Sequence, residues 1–458
     1  MFDDKSPIVA SATAPGRSGV GIVRLSGPKD KVEAIVRRYF KGQEPLKPRY
    51  AHLRAFHDER GERLDEGLAL FFPAPRSYTG ETVLELQAHG GPVVLSMLTK
   101  ALLIVGRSEG LRMAEPGEFT RRAFLNGKID LSQAESIADM IDAGSENAVR
   151  AANRSLAGEF SLKIHGLMDS LAELRAHLEA ILDFPEEEVD FLSQSHAGER
   201  LEAIRETFEG VFRASRKGSV LREGVCVVLV GSPNVGKSSL MNALSGQEVA
   251  IVTEVAGTTR DRIENLVHIE GVPFRLVDTA GLHETQDLVE KIGIARTLEA
   301  ASDADILVHI SDATHEVSDD EGNRILSDLK RRLGRRVPVV EVLNKADLAQ
   351  VADAKDRIAV SAVTGQGVCD LEKRLLELAG WEQTTEDVFL ARQRHLESLE
   401  RARRHIGAAQ EALASPVPML DIVAEELRLA GASLGEIVGE TATEDLLGMI
   451  FSRFCIGK

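Results

Sequence analysis

A chain of 458 residues, with 43% hydrophobic and 28% charged residues, has room for about two to four globular domains. Its net charge of −17 excludes nucleic-acid binding by bulk charge, and 4% aromatic residues leave little for a base-stacking platform. No run of apolar residues is long enough for a membrane span, the acidic start MFDDKSPIVA lacks a secretory apolar core, and three scattered cysteines fit no zinc spacing. The expected compartment is therefore the cytoplasm.

Residues 1–120 read as a compact α/β domain. Pro7–Ala10, Gly21–Leu25 and Gly67–Phe72 are strand-like, and Val83-Leu84-Glu85-Leu86-Gln87 alternates as a half-buried strand does. Gly91-Pro92 introduces an amphipathic helix through Val93, Leu95, Leu98, Ala101 and Leu102. A helical segment over 121–217 follows. Ser132-Gln133-Ala134-Glu135 has the pattern of a capping box. Ile164, Leu167, Leu171, Leu174, Leu178 and Ile181 form one apolar stripe, which suits a bundle core more than a dimer seam. Asp183-Phe184-Pro185 ends that helix.

Residues 218–380 alternate strands and helices. Val225–Val230, Phe274–Val277, Ile306–Ile310 and Val337–Val342 are continuous apolar runs, as parallel strands covered on both faces require. Residues 381–458 return to helix, with Leu390, Leu396, Leu399, Ile406 and Leu413 at helical spacing. The arrangement is multidomain α/β plus α: an N-terminal α/β domain and a discontinuous helical domain into which a P-loop domain is inserted.

The inserted domain carries four ordered motifs. Gly231 to Ser238 fits G-x-x-x-x-G-K-[ST] between a strand and a helix. Backbone N–H groups of Asn234, Val235, Gly236, Lys237, Ser238 and Ser239 are expected to meet phosphate, Lys237 to neutralise its charge, and Ser238 to ligate Mg²⁺. Gly257-Thr258-Thr259-Arg260-Asp261 has the position of a first switch, with Thr259 at Mg²⁺. Asp278-Thr279-Ala280-Gly281 follows a strand, as a Walker B segment does. Asn344-Lys345-Ala346-Asp347 offers a carboxylate to both guanine N–H groups, and Ser361-Ala362 can close over the guanine oxygen. Together they define a GTP site. Leu282-His283 stands where Ras-type enzymes place a water-orienting glutamine. Catalysis must then draw on Glu284, Glu290, a cation or a partner.

The order GTTRD, DTAGL, NKAD and a terminal CIGK resembles the MnmE (TrmE) family of tRNA-modification GTPases. Further stretches carry the likeness: Pro15–Gly21, Tyr78-Thr79-Gly80-Glu81, Leu84–Gly91, Pro116-Gly117-Glu118-Phe119-Thr120 and Arg122–Lys128. The resemblance implies a folate-binding N-terminal domain that forms the homodimer, and a flavin-containing partner, MnmG (GidA), in a heterotetramer. It implies transfer of an aminomethyl-type group to C5 of the tRNA wobble uridine, using a 5-formyl- or 5,10-methylene-tetrahydrofolate. Arg24, Glu85, Lys128 and Lys458 are the implied folate positions. K⁺ is the implied cation, held by Asn234, Thr253, Val255 and Thr258 within the nucleotide-contacting run Thr253-Glu254-Val255-Ala256-Gly257-Thr258-Thr259, and Glu290 is the implied water-positioning acid.

The tail Phe454-Cys455-Ile456-Gly457-Lys458 is no prenylation box, because Gly457 and Lys458 stand where an aliphatic residue and a favoured terminal residue belong. Cys455 is expected to be a functional thiol, nucleophilic or proton-transferring, and Cys226 and Cys369 to be packing residues. The competing reading is a regulatory, RNA-associated GTPase of ribosome assembly, a class that usually carries a basic appendage.

Overall fold

The protein is described from a computed structural model covering residues 5–183, 196–246, 265–278, 304–314, 320–334, 336–349, 357–381, 388–441, 443–452 and 454–457. It divides into two compact units: Met1–Ala138 with Leu156–Asp169 and Arg428–Lys458, and Asp139–Ser155 with Ser170–Leu427.

The first unit is built on strands β1 (Ile8–Ser11), β2 (Ser18–Gly27), β3 (His52–His57), β4 (Arg63–Phe72), β5 (Thr82–Gly90) and β6 (Arg112–Met113). They lie in the order β3-β4-β5-β2-β1-β6, antiparallel except for the β1–β6 pair. Helices α1 (Lys29–Tyr39) and α2 (Pro92–Val105) supply Val32, Ile35, Leu95 and Leu98 to a core with Val23, Leu25, Leu84 and Leu86. Strand side chains alternate in direction, so Arg24 and Glu85, paired across β2 and β5, fall on the face away from that core.

Helix α3 (Glu118–Leu125) leads to α4 (Leu131–Asp142). The cap of α4 lies two residues earlier than the Ser132–Glu135 pattern suggests. Asp130 accepts the Gln133 N–H at 2.9 Å, and the Gln133 side-chain oxygen accepts the Asp130 N–H at 3.0 Å. Asp-x-x-Gln satisfies the same two orphan donors as Ser-x-x-Glu, and Ser132 instead donates to Asp130.

Arg122 on α3 is the centre of a buried ion network. It is 2% exposed and donates to Glu81 at 3.1 Å, to Glu118 at 2.9 Å and to the Ser6 carbonyl at 2.8 Å. Glu118 also takes both ends of Arg112, at 2.7 and 2.8 Å. Burial pushes the Glu118 carboxyl up, but the bonds from Arg112, the Glu115 N–H and Arg122 outweigh it and hold it below its ordinary range.

In the second unit, α5 (Glu146–Leu156), α7 (Ala197–Glu223) and α11 (Gln393–Leu413) accompany a six-stranded sheet. The expected helical segment runs past Lys217 to Glu223, where Gly224, at φ 74°, stops it. The sheet contains β7 (Val225–Val230), β8 (Asn265–Ile269), β9 (Val272–Asp278), β10 (Ile306–Asp312), β11 (Val339–Asn344) and β12 (Arg357–Ala359), in the order β12-β11-β10-β7-β9-β8. All neighbours are parallel except β8–β9, a hairpin turned by Glu270 and Gly271 at φ 49° and 78°. Helices α8 (Lys237–Ser245), α9 (Asp320–Leu333) and α10 (Val368–Leu378) belong to this unit. Leu390 precedes α11 rather than joining it, and is buried in the sheet's core cluster.

Asp139, at the end of α4, takes Arg222 at 2.9 Å and Arg392 at 2.8 Å, tying three distant stretches of this unit together. The long helix α6 (Glu159–Asp183) buries its whole stripe, from Ile164 at 0% to Ile181 at 5% exposure, as a bundle core requires. Helices α12 (Leu420–Val438) and α13 (Glu444–Phe451) complete the described chain. Among the described residues no helix is long and apolar enough to cross a membrane.

Removing Arg122 strips Glu81 of its ion-pair partner and leaves Glu118 with Arg112 alone, so Arg122→Ala should destabilise the first unit by about 3 kcal/mol in urea unfolding. The Glu118 contribution has a definite sign. Its folded value is depressed, so its stabilisation is complete above the unfolded carboxyl value of about 4.3 and is lost as pH falls below it. Glu118→Gln should remove that part of the acid dependence; an unchanged pH profile would show that Glu118 does not carry it.

Candidate functional site

The nucleotide motifs converge at the carboxyl ends of β7, β9, β10 and β11, where an open parallel sheet places its ligands. Strand β7 ends at Val230, the loop turns at Gly231, and α8 begins at Lys237, with Gly236 at φ 95° as its N-cap. A Cβ on Gly231 would stand 2.3 Å from the Ile310 carbonyl, and one on Gly236 would stand 2.3 Å from the Asn344 amide nitrogen. Only glycine fits either place. Asn234 adopts φ 64°, which leaves its side chain exposed on the loop.

Lys237 is buried at 6% exposure and donates to the carbonyls of Gly231 at 2.8 Å and Ser232 at 3.0 Å. Its ammonium is thus held inside the loop that is to receive phosphate. The Ser238 hydroxyl stands 3.3 Å from Asp278 Oδ2. A hydroxyl and a carboxylate meeting at the head of a helix are the hard oxygen donors that Mg²⁺ takes, so these residues fit that ion.

Asn344 joins the base side to the phosphate side. Its Nδ2 donates to the Val235 carbonyl at 2.8 Å, and its Oδ1 accepts the Ala362 N–H at 3.2 Å. Lys345, at φ 64°, donates to Asp312 at 2.6 Å. Burial raises the Asp312 carboxyl, but the bonds from Lys345 and Thr314 outweigh it and lower it to about 2. Ala346 N–H bonds to the Val360 carbonyl, and Asp347 is exposed next to it. Ser361 is fully buried and accepts the Thr364 N–H, which shapes the loop carrying Ala362. Asp312 was not singled out by motif. Its signal was its position, just beyond an apolar strand at the ligand-bearing edge.

A second constellation forms in the first unit. Arg24 Nε and Glu85 Oε1 are 2.7 Å apart, both mostly buried. The Arg24 guanidinium lies 5.3 Å from the Tyr78 ring centre and 5.8 Å from that of Phe119. The C-terminal tail reaches the same place: Arg24 Nη1 is 3.5 Å from the Gly457 carbonyl. Gly457 is buried at φ 99°, and a Cβ there would stand 2.0 Å from the Ser11 carbonyl. Lys128 is exposed, and its side chain lies against Gly80, two residues from Tyr78. A carboxylate and guanidinium fixed beside aromatic rings fit a flat, hydrogen-bonding heterocycle such as a pterin.

Cys455 is exposed and Cys226 is buried, whereas Cys369, expected to pack, is exposed. Its neighbours Val368 and Leu371 take the buried positions of α10, which turns residue 369 outward. Thr253, Glu254, Val255, Ala256, Gly257, Thr258, Thr259, Thr279, Ala280, Gly281, Glu290 and Lys458 lie outside the described residues.

A P-loop lysine and serine facing a strand-end aspartate, with Asn344 linking that loop to the base-side loop, define a guanine-nucleotide-binding P-loop protein. The family model for the GTP-binding protein TrmE N-terminus matches residues 7–128, and that for the MnmE helical domain matches residues 131–455. The chain is 51% identical over 456 residues to the tRNA modification GTPase MnmE of Bordetella avium (strain 197N), covering 99% of each protein. It is 51% identical over 465 residues to that of Acidovorax sp. (strain JS42), covering 99% of this chain and 98% of the other. It is 50% identical over 471 residues to that of Burkholderia thailandensis, covering 100% of both. The chain belongs to the MnmE family of tRNA modification GTPases.

Asn344→Ala should leave the Val235 carbonyl and the Ala362 N–H without their partner. At about 1–3 kcal/mol for a buried group left unpaired, GTP affinity should fall roughly tenfold or more, measured by nucleotide titration. An unchanged affinity would show that the two loops hold their places without the amide.

Proposed function

We propose that this protein hydrolyses GTP with K⁺ as the activating cation, and that hydrolysis is coupled to wobble-uridine modification of tRNA. In this reading the chain works as a homodimer with a flavin-containing partner, MnmG (GidA), and adds an aminomethyl or carboxymethylaminomethyl group at C5. The observation that supports the coupling is the placement of the CIGK tail: the Gly457 carbonyl meets Arg24 of the Arg24–Glu85 pair, and Cys455 precedes it by two residues.

On the nucleotide side, Lys237 neutralises the β- and γ-phosphates, Ser238 and Thr259 hold Mg²⁺, and Asp347 selects guanine. Asn234, Thr253, Val255 and Thr258 hold K⁺ through side-chain and backbone oxygens. The exposed amide of Asn234 is a donor of the right hardness. The ion supplies positive charge where the transferred phosphoryl group accumulates negative charge. Glu290 positions water, the task that Leu282 cannot perform.

On the one-carbon side, Arg24, Glu85, Lys128 and Lys458 bind a 5-formyl- or 5,10-methylene-tetrahydrofolate. Glu85 accepts from the heterocycle edge and the basic side chains meet the carboxylate tail. Cys455 acts on the transferred unit as nucleophile or proton carrier, and the bound folate supplies the carbon. The cytoplasm is the compartment in which tRNA and a reduced thiol coexist.

Hydrolysis should be at least several-fold faster in K⁺ than in Na⁺ at equal ionic strength; equal rates would remove the cation from the scheme. Nucleoside mass spectrometry of tRNA is the test of the coupling. Cells lacking the protein should lose the modified wobble uridine, and Cys455→Ser should lose it while retaining GTP hydrolysis. Persistence of the modified nucleoside in the serine variant would overturn the role given to the thiol.

A further inference from the structure

The segment Pro116-Gly117-Glu118-Phe119-Thr120 touches the C-terminal tail, the buried ion network and the rings beside Arg24. Pro116 forms an antiparallel bridge with Ile456. The Gly117 N–H donates to the Cys455 carbonyl at 3.4 Å. Glu118 is fastened to Arg112 and Arg122. The Phe119 ring lies on one approach to the Arg24 guanidinium. Thr120 Oγ1 shares a 2.7 Å hydrogen bond with the hydroxyl of Tyr78, the other ring beside Arg24.

Gly117 is the tightest point. It has φ 66°, and a Cβ there would stand 2.5 Å from the Phe451 carbonyl and 3.0 Å from the Phe454 Cβ. Phe451 and Phe454 are themselves anchored, with rings 5.5 Å apart, in a cluster with Leu131, Ala134 and Phe124. A side chain at 117 therefore cannot be absorbed by rotating a flexible neighbour; backbone must move. The backbone that lies there is the one that carries Cys455.

We infer that Pro116–Thr120 is a positioning clamp that sets the Cys455 thiol and the Arg24 guanidinium in one fixed relation, with Gly117 as its seat for the tail. Its meaning for one-carbon transfer rests on the folate reading of Arg24, Glu85 and the tail. The clamp holds the tail backbone through Pro116 and Gly117, and holds the arginine through Phe119 and through Thr120 acting on Tyr78. Glu118 locks the segment onto the buried ion network, so the two functions share one rigid support. Rigid placement matters because a displacement of about 1 Å at a reacting group costs on the order of a hundredfold in rate.

The test uses the full-length chain carrying Gly117→Ala. Iodoacetamide alkylation of Cys455 is followed by mass spectrometry against Cys369, an internal exposed thiol on α10 in the other unit. The Cys455-to-Cys369 rate ratio should rise by about threefold or more as the tail leaves its seat, and 5-formyltetrahydrofolate affinity should fall by about tenfold. GTP hydrolysis should be unchanged, since Gly117 takes no part in the nucleotide site. A ratio equal to wild type overturns the clamp. Deletion of residues 455–458 keeps the question answerable if the alanine variant does not fold. Removing the Cys455 carbonyl should lower hydrogen-exchange protection of the Gly117 amide, and unchanged protection overturns the clamp. Failure of the wild-type chain to bind 5-formyltetrahydrofolate overturns the folate reading alone, because the labelling ratio decides the clamp without it.

Discussion

The side-chain amide of Asn344 gives its N–H to the P-loop and its oxygen to the loop after β12. Those loops come from opposite ends of the inserted domain's sequence, and Asn344, at the end of β11, meets both. The close approach of Asn344 to Gly236 shows why the P-loop glycine is needed for more than phosphate. Any side chain at 236 would occupy the space of the amide that ties base recognition to phosphate recognition. Lys345, turned by its left-handed backbone onto Asp312, then fixes the adjacent strand end in the same assembly. The geometry of the nucleotide site thus draws on one neutral polar side chain, bonded through both its amide nitrogen and its oxygen.

The first unit applies a different rule. There the buried contacts are ionic: Arg122 between Glu81 and Glu118, and Arg24 against Glu85. Buried ion pairs contribute little net stability when compared with apolar packing, but they enforce a particular arrangement because every mispairing strands a charge. This suits a site that must bring a chain terminus back to a strand near the start. Arg24 and Gly457 are 433 residues apart.

How much was legible from sequence follows from how local each determinant is. The P-loop and NKAD were readable because backbone turns, a lysine and a carboxylate must sit at fixed offsets for phosphate and guanine. Strands β7 and β10 were readable because burial on both faces writes itself as an apolar run, whereas β9 and β11 alternate buried and half-buried residues. Strand β8 was missed because it is short and half exposed, with Leu266 at 50% exposure. Its clue was the Glu270-Gly271 turn between two alternating runs. The α4 cap was ambiguous in principle, since DLSQAE contains two overlapping box patterns and only the geometry separates them. Cys369 was legible and was passed over: Val368, Leu371 and Leu375 already claim the buried positions of its helix. The Arg24–Glu85 pair was not legible from pattern, because it depends on a register between strands 61 residues apart. The family resemblance named the two residues as folate positions, and the β2–β5 register brings them together.

One junction has a mechanical consequence. Helix α7 spans 27 residues and passes into the P-loop strand through Gly224 alone, whose Cβ position is already crowded by the Pro273 carbonyl. Such a helix is about 40 Å long. With one residue between it and β7, its direction is set by the backbone of that glycine at the amino end of the P-loop strand. A change of about 6° in the backbone angles of that glycine would carry the helix's far end through about 4 Å, close to the spacing between adjacent strands.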